Sequence, residues 1–103
     1  RSPAALSGGQ KRSVAIATVL SMMPNILVMD EPTSNLDWIA RRRVIEIVRR
    51  FQHTCIIATH DVPLVKELCG RVIFIENGSV LADTNTDHFF ADTSLLKYVG
   101  LVE

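Results

Sequence analysis

The sequence has no run of about 18 apolar residues, so no segment is long enough to span a bilayer as a helix. Its two cysteines, Cys55 and Cys69, lie in no CxxC or other metal-binding spacing and are interpreted as small core residues. Basic and acidic residues number 11 each, so bulk charge gives no reason to expect nucleic-acid binding. With no signal peptide, internal repeat or low-complexity segment, the 103 residues are expected to form at most one domain, in the cytosol.

Apolar runs alternate with helix-like segments along the chain, and this pattern predicts an α/β fold. The predicted elements are a helix over 7–22, a strand over 26–29, a helix over 38–51, a strand over 54–59, a short helix over 61–68, strands over 71–75 and 79–82, and short helices over 86–91 and 93–99. The order strand–helix–strand–helix–strand predicts a parallel sheet with helical crossovers. Asn77-Gly78 is a strong hairpin signal, so the last two strands are expected to pair through a tight turn.

The first helix begins in a glycine-rich segment that is suited to binding an anion. Gly8 and Gly9 leave the backbone open to a ligand, and free N–H groups at a helix N-terminus attract phosphate. Ser7 adds a hydroxyl, both as an N-cap and as a possible ligand donor. Residues Ser7 to Gln10 are therefore a candidate phosphate-contacting segment. Taken alone, the same residues also fit a simple turn that starts a helix.

Polar residues follow both predicted central strands. Asp30 ends the strand over 26–29, where ligands of open α/β sheets gather, and its carboxylate is suited to Mg²⁺. The adjacent Glu31 is placed to orient or deprotonate a water molecule. His60 follows the strand over 54–59, where an imidazole can donate to a phosphate oxygen. Each of these residues alone would also fit a structural role.

Together, and in this order, the motifs resemble the second half of an ATP-binding cassette (ABC) ATPase domain. Leu6 to Gln10 resembles the signature motif, Ile26 to Asp30 the Walker B strand, and Glu31 the catalytic glutamate. Residues 34–37 resemble the D-loop, and His60 the switch histidine. The resemblance covers residues 1–103 and implies a partial P-loop NTPase-like parallel sheet with a C-terminal β-hairpin and short helices.

This resemblance implies a set of functional roles. Two cassettes would pair head to tail around two ATP molecules, each with Mg²⁺, and hydrolyse them. Asp30 would serve the metal, and Glu31 and His60 would serve catalysis at the subunit's own nucleotide. The other binding residues would act across the dimer; these are Ser7, Gly8, Gly9, Gln10 and Asp37. Of these, Asp37 in the D-loop would couple the two nucleotide sites.

Within the family, the sequence resembles the ATPases of energy-coupling-factor and cobalt/nickel importers. The residues that carry this likeness are Ser13 to Ala17 after the signature, the strand beginning at Gly70-Arg71, and the ending Leu95 to Leu101. By that resemblance the partners are a second ATPase subunit, identical or different, and transmembrane transporter subunits. The protein is then expected on the inner face of the cell membrane, without a nucleic-acid partner.

The sequence contains no GxxxxGK[ST] loop, which in this family supplies the backbone cradle and the lysine that hold ATP. The chain also starts at Arg1, without a methionine, in what we interpret as mid-domain. We therefore expect a fragment of a longer protein that is inactive by itself. Without neighbouring strands, the strand over 26–29 is expected to leave an apolar edge exposed.

Two other functions remain open from the sequence. One is a cassette ATPase of DNA repair or chromosome maintenance, and the other is a truncated, non-enzymatic interaction module. The five arginines of the helix over 38–51 are interpreted as a solvated face paired with Glu46, with an acidic partner as the alternative. These are Arg41, Arg42, Arg43, Arg49 and Arg50.

Overall fold

The computed structural model describes residues 8–92 and residue 96. The predictions for Ser7 and for a helix over 93–99 therefore lie outside the described residues. The chain divides into two compact units, Arg1–Asp61 and Val62–Glu103.

The first unit contains two helices and two parallel strands, as the sequence predicts. In chain order they are α1 (Gly8–Ser21), β1 (Ile26–Asp30), α2 (Trp38–Arg49) and β2 (Thr54–Ala58). Strands β1 and β2 pair in parallel, with Ile26 opposite Thr54 and Asp30 opposite Ala58. The α2 segment is the crossover between them, because parallel neighbours cannot be joined by a tight turn. This confirms the α/β class and the predicted crossover.

Burial in the first unit is one-sided. On β1, Leu27 and Met29 are buried, whereas Ile26 and Val28 are 58% and 69% exposed. An apolar run of this kind is typical of a strand buried on both faces, but here one face of β1 is exposed. In the described part of the chain β1 has β2 as its single strand neighbour, which agrees with the predicted exposed apolar edge.

The helices of the first unit pack on each other through a limited face. On α2 the buried residues are Val44, Ile45 and Val48, while Ile39 in the first turn is exposed. On α1 only Gly9 and Ile16 are buried. The described residues cover α1 on one side only.

The second unit is built on the predicted hairpin. Its elements are α3 (Val62–Leu68), β3 (Arg71–Glu76), β4 (Ser79–Asn85) and α4 (Thr86–Ala91). Strands β3 and β4 are antiparallel. Asn77 and Gly78 both have positive φ, 51° and 78°, as a two-residue type I′ turn requires. The sequence predicted that the third strand in chain order would join the parallel sheet. In the described residues this strand, β3, pairs with β4 instead, and the parallel sheet consists of β1 and β2.

Aromatic packing forms the core of the second unit. Phe89 and Leu64 are each 1% exposed. The ring of Phe89 stacks on Phe74 at 6.1 Å and meets Phe90 edge-on at 5.0 Å. Helix α4 is fixed at its start by Asn85, whose side chain accepts a hydrogen bond from the His88 N–H group at 2.7 Å.

Both cysteines are half-buried. Burial raises the pKa of the Cys69 thiol above its ordinary value, so this group is held in its neutral form. The thiolate is the reactive form of cysteine, and Cys69 is therefore a poor nucleophile. This agrees with the structural role inferred from the sequence.

Candidate functional site

The ends of β1 and β2 bring two polar loops together. Because the strands are parallel and in register, Asp30 lies opposite Ala58, and the chain leaves both strands at the same edge. The Glu31 N–H group donates to the Ala58 carbonyl at 2.7 Å, which extends the pairing into the first loop. Glu31 and His60, 29 residues apart in sequence, therefore become neighbours.

The carboxylate of Glu31 is bound by the second loop through both of its oxygens. Glu31 Oε1 accepts from the His60 backbone N–H at 3.0 Å and lies 2.6 Å from His60 Nδ1. Glu31 Oε2 accepts from the Thr59 hydroxyl at 3.1 Å. The hydrogen bond from the His60 side chain, assisted by the one from Thr59, lowers the pKa of Glu31 below its ordinary value. Glu31 is therefore ionised at neutral pH.

The two side chains of this contact differ in exposure. Glu31 is 33% exposed, whereas the His60 side chain is 99% exposed. A ring so exposed can rotate away from the carboxylate toward a ligand without disturbing packed side chains. His60 is thus free to exchange Glu31 for another acceptor, while Glu31 keeps its bonds from the backbone and from Thr59.

The backbone at Glu31 is left-handed, with a φ of 48°. This conformation is uncommon for residues other than glycine and costs on the order of 1–3 kcal/mol. It is held in place because the Glu31 carbonyl accepts from the Ser34 N–H at 3.2 Å and from the Ser34 hydroxyl at 3.1 Å. Asn35 has a φ of 59°, which asparagine tolerates better than most residues. The tight turn directs the Glu31 side chain toward the β2 loop.

Asp61, directly after His60, connects the second loop to α2. Its Oδ2 atom accepts from Arg41 Nε and its Oδ1 atom from Arg41 Nη2, both at 2.9 Å. Oδ2 also accepts from the hydroxyl of the buried Thr33 at 2.6 Å. Arg41 is therefore not part of a solvated arginine face, and that prediction is wrong for this residue. Arg42 and Arg49 do contact Glu46, as the sequence predicts.

A second arginine holds the first loop from α1. Arg12 Nη1 donates to the carbonyl of Pro32 at 3.0 Å and to the carbonyl of Ser34 at 2.9 Å. Both carbonyls belong to the turn that carries Glu31. The sequence analysis did not single out Arg12, because a cation two residues after a glycine-rich segment has no distinctive pattern.

The other candidates among the described residues lie at the starts of α1 and α2, which pack together. Gly8 is exposed, and a Cβ built on it would meet nothing within 4 Å. Gly9 is buried, and a Cβ there would overlap the Cβ of Ala40 on α2. Asp37 is the N-cap of α2 and accepts from the Ala40 N–H at 2.8 Å. Gln10 is half-buried in the first turn of α1. The structure thus groups Gly8, Gly9, Gln10 and Asp37 at the starts of these two helices.

Asp30 offers one carboxylate to a magnesium ion whose other ligands would be water and phosphate oxygens. Asp30 is exposed at the end of β1. Within the described residues, no three His, Cys, Asp or Glu side chains are grouped closely enough to enclose a metal. Mg²⁺ generally keeps several waters and is held by one or two carboxylates together with phosphates. The donor set at Asp30 suits that arrangement.

Comparisons with known proteins identify the family. A family model described as "AAA domain, putative AbiEii toxin, Type IV TA system" matches residues 1–66. The solved structure of CbiO1 from Clostridium perfringens, titled as part of the ABC transporter complex CbiONQ, superposes with a TM-score of 0.73 and 37% identity. That match covers 94% of this chain and 40% of CbiO1. The chain belongs to this AAA-domain family, and in sequence and fold it is similar to ABC transporter ATP-binding proteins.

Curated ABC proteins give the same result. A putative ABC transporter ATP-binding protein of Geobacter sulfurreducens is 54% identical over 91% of this chain and 38% of its own length. The energy-coupling factor transporter ATP-binding protein EcfA2 of Ligilactobacillus salivarius is 43% identical over 94% of this chain and 35% of its own. The resemblance to energy-coupling-factor and cobalt-importer ATPases is confirmed. The ABC chain described here spans little more than a third of the length of these relatives.

No helix among the described residues of this ABC chain has the length and hydrophobicity needed to cross a membrane.

Proposed function

We propose that the parent protein of this ABC chain is an ATPase subunit that drives import of a metal ion, vitamin or other small solute. Residues 1–103 would be the C-terminal portion of its ATPase domain. The observation that carries this proposal is the contact between Glu31 and His60 at the carboxyl ends of two parallel strands. Ligands of open α/β sheets bind at this edge.

Glu31 and His60 are the proposed catalytic residues. Glu31 is ionised at neutral pH and can accept a proton from, or orient, the water that attacks the γ-phosphate. His60, with its exposed ring, would leave Glu31 Oε1 and donate to a γ-phosphate oxygen. This exchange would open one acceptor position on Glu31 Oε1 for water when the phosphate arrives, while the His60 backbone N–H group still donates to the same oxygen. Hydrolysis then depends on positioning and on electrostatic stabilisation of the transferred phosphoryl group.

Asp30 is the proposed magnesium-binding residue. When bound, Mg²⁺ neutralises charge on the β- and γ-phosphates. The carboxylate of Asp30 is exposed at the strand end, one residue before Glu31, so it can face the same cleft. The two neighbouring carboxylates would have different tasks, one toward the cation and one toward the nucleophile.

The group at the starts of α1 and α2 is proposed to contact a nucleotide held by a second ATPase subunit. Ser7, Gly8, Gly9 and Gln10 would present hydroxyl and N–H donors to its γ-phosphate. The open space around Gly8 supports close approach of a ligand. Asp37, which caps α2, would couple this contact to the subunit's own site.

The proposed partners are therefore a second ATPase subunit, identical or different, and transmembrane subunits of the transporter. CbiO1 is titled as part of a transporter complex, and EcfA2 is named as a transporter ATP-binding protein. By this analogy the parent acts in the cytoplasm, on the inner face of the cell membrane. ATP and Mg²⁺ are its proposed cofactors.

Comparing the chain with its parent tests this proposal. The 103 residues contain no phosphate-binding loop, so we expect Mg-ATP hydrolysis by the parent, but neither hydrolysis nor tight ATP binding by the chain alone. Adding the preceding half to the chain is expected to restore part of the activity. Robust hydrolysis by the chain alone, or a folded parent without hydrolysis, would contradict the proposal. The second result would favour an interaction module, whereas hydrolysis stimulated by DNA would favour a repair ATPase.

Reconstitution would test the transport part separately. The parent, assembled with its membrane subunits in vesicles, is expected to accumulate solute only when ATP is present on the side that the ATPase faces. A variant with Glu31→Gln would serve as the matched control, because it keeps the size and most contacts of the side chain but loses the base.

A further inference from the structure

Three parts of the first unit converge on the carboxylate of Asp61. The loop after β1 supplies the Thr33 hydroxyl, helix α2 supplies the Arg41 guanidinium, and the loop after β2 supplies Asp61 itself. All three side chains are sheltered: Thr33 is 6% exposed, and the side chains of Arg41 and Asp61 are 17% exposed each. These three residues are called the Asp61 cluster below.

The geometry of the cluster is more restrictive than that of an ordinary surface ion pair. Arg41 binds both oxygens of Asp61 through two different nitrogens. Such a two-point contact fixes the orientation of both planar groups, which a single lysine ammonium cannot do. The partial burial also limits the competition from water that weakens exposed pairs.

The cluster connects directly to the proposed catalytic pair. Asp61 follows His60 in the chain, and its N–H group donates to the Thr59 hydroxyl at 3.0 Å. The same hydroxyl donates to Glu31 Oε2. The position of Asp61 therefore sets the position of the His60 backbone and of the hydroxyl that orients Glu31.

The cluster also connects to the start of α2. The Arg41 N–H group donates to the Asp37 carbonyl at 2.9 Å, so Arg41 lies one helical turn after the N-cap. A movement of this first turn would be transmitted through the guanidinium to Asp61. The D-loop end of α2 and the Glu31–His60 contact are thus parts of one hydrogen-bonded arrangement.

We propose that Arg41, Asp61 and Thr33 are positioning residues that hold Glu31 and His60 in the geometry required for ATP hydrolysis. This inference rests on the function proposed above. In this proposal the three residues do not act on the reacting atoms directly. They act by fixing two loops and one helix relative to one another.

The test uses the full-length parent with Arg41→Lys and Asp61→Asn, two mild changes that keep the size of the side chain. Arg41→Lys retains the charge but loses the two-point contact. We expect kcat to fall about tenfold for each variant, because small misplacements of reacting groups are costly, while KM for ATP changes less than about twofold. The double variant is expected to be no slower than the slower single variant, since both changes break one contact.

Arg43→Lys is the matched control, because Arg43 lies on the same helix in the same run of arginines but is exposed. It is expected to leave kcat within about twofold of the wild-type value. Thermal unfolding of every variant shows whether the protein remains folded. Folded Arg41→Lys and Asp61→Asn variants with wild-type kcat, or effects that simply multiply in the double variant, would overturn the inference.

A second measurement does not depend on activity. The imidazole proton resonances of His60, assigned in the parent by their loss in His60→Gln, are expected to shift in Arg41→Lys and to stay in place in Arg43→Lys. If the wild-type parent does not hydrolyse ATP, the proposed function fails and this readout decides about the cluster. Unchanged His60 resonances in Arg41→Lys would then overturn the positioning role proposed for the Asp61 cluster.

Discussion

The two strand pairs of the described residues differ in what they place at their ends. The parallel pair, β1 and β2, ends at one edge, so that Glu31 and His60 meet across two loops. The antiparallel pair, β3 and β4, is closed by the Asn77-Gly78 turn, and its side chains pair within the hairpin. The parallel arrangement brings the carboxyl ends of two strands, and the loops that follow them, to the same edge. In the hairpin the two strands are joined directly by a turn.

Each strand pair has a carboxylate with a lowered pKa, Glu31 directly after β1 and Asp83 within β4. The pKa of Glu31 is lowered chiefly by the hydrogen bond from the His60 side chain. The pKa of Asp83 is lowered chiefly by its hydrogen bonds from Arg71, with which it forms a two-point contact at 2.8 Å. The first carboxylate lies at the carboxyl edge of a parallel sheet and the second on an exposed hairpin face. A perturbed pKa therefore points to function only in combination with such a location.

The histidines at the two ends of β2 are expected to differ in their effect on ATP hydrolysis. His60 follows the carboxyl end of the strand, and His53 precedes its amino end. In the parent protein we expect His60→Ala to lower kcat for ATP hydrolysis about 100-fold, because positioned proton donors contribute about that much. His53→Ala is the control and is expected to stay within twofold, on the order of an ordinary surface change. Equal effects at both histidines would contradict the special role of the carboxyl edge.

A second expected difference, in stability, distinguishes the cores of the two units. Phe89 is 1% exposed in the second unit, whereas Val28 is 69% exposed in the first. In the 103-residue chain, Phe89→Ala is expected to reduce the free energy of unfolding by about 3–5 kcal/mol, and Val28→Ala by less than about 0.5 kcal/mol. Urea denaturation measures both losses. A loss at Val28 as large as that at Phe89 would show that the β1 face is covered.

The two glycines at the start of α1 are expected to differ as well. A Cβ on Gly9 would overlap Ala40, so Gly9→Ala should destabilise the chain by about 1–3 kcal/mol through overpacking between the helices. Gly8 has open space, so Gly8→Ala should change stability by less than about 1 kcal/mol. Thermal unfolding of the two variants provides the comparison. Destabilisation by Gly8→Ala instead would contradict the packing described for α1 and α2.

The smallest expected effect is on the titration of Glu31. Its pKa is expected below the ordinary value of 4.5, and His60→Ala should move it back toward that value. Because the folded-state pKa is lowered, the stabilising contribution is present above about pH 4.5 and is lost as the pH falls through the folded-state pKa. Carboxyl chemical shifts followed by NMR across a pH titration would measure the pKa of Glu31 in the wild-type protein and in His60→Ala. A Glu31 pKa unaffected by His60→Ala would be inconsistent with the contact.

The sequence predicted the features that depend on local pattern. Asn77-Gly78 indicated the hairpin because few other dipeptides adopt two consecutive positive φ angles. The resemblance to ABC ATPases implied that Asp30, Glu31 and His60 serve one nucleotide. Glu31 and His60 do meet, because β1 and β2 are parallel and end at the same edge.

Other features could not be predicted because they depend on how elements pack. Three consecutive arginines look equivalent in sequence, and only the orientation of α2 relative to the β2 loop directs Arg41 to Asp61. Likewise, the two glycines at 8 and 9 look alike, and only the approach of Ala40 separates them. Apolar composition also could not reveal that Val28 is exposed, since it does not specify how many layers surround the strand.

The decisive measurement asks whether the loops after β1 and β2 form the hydrolytic site. It compares steady-state Mg-ATP hydrolysis by the full-length parent between Glu31→Gln and Asp83→Asn. Both changes remove a carboxylate with a lowered pKa, one at the edge of the parallel pair and one on the hairpin. We predict that Glu31→Gln lowers kcat about 1,000-fold while ATP binding is retained, and that Asp83→Asn leaves kcat within about twofold. Wild-type hydrolysis by a folded Glu31→Gln variant would show that the loops after β1 and β2 do not form the hydrolytic site.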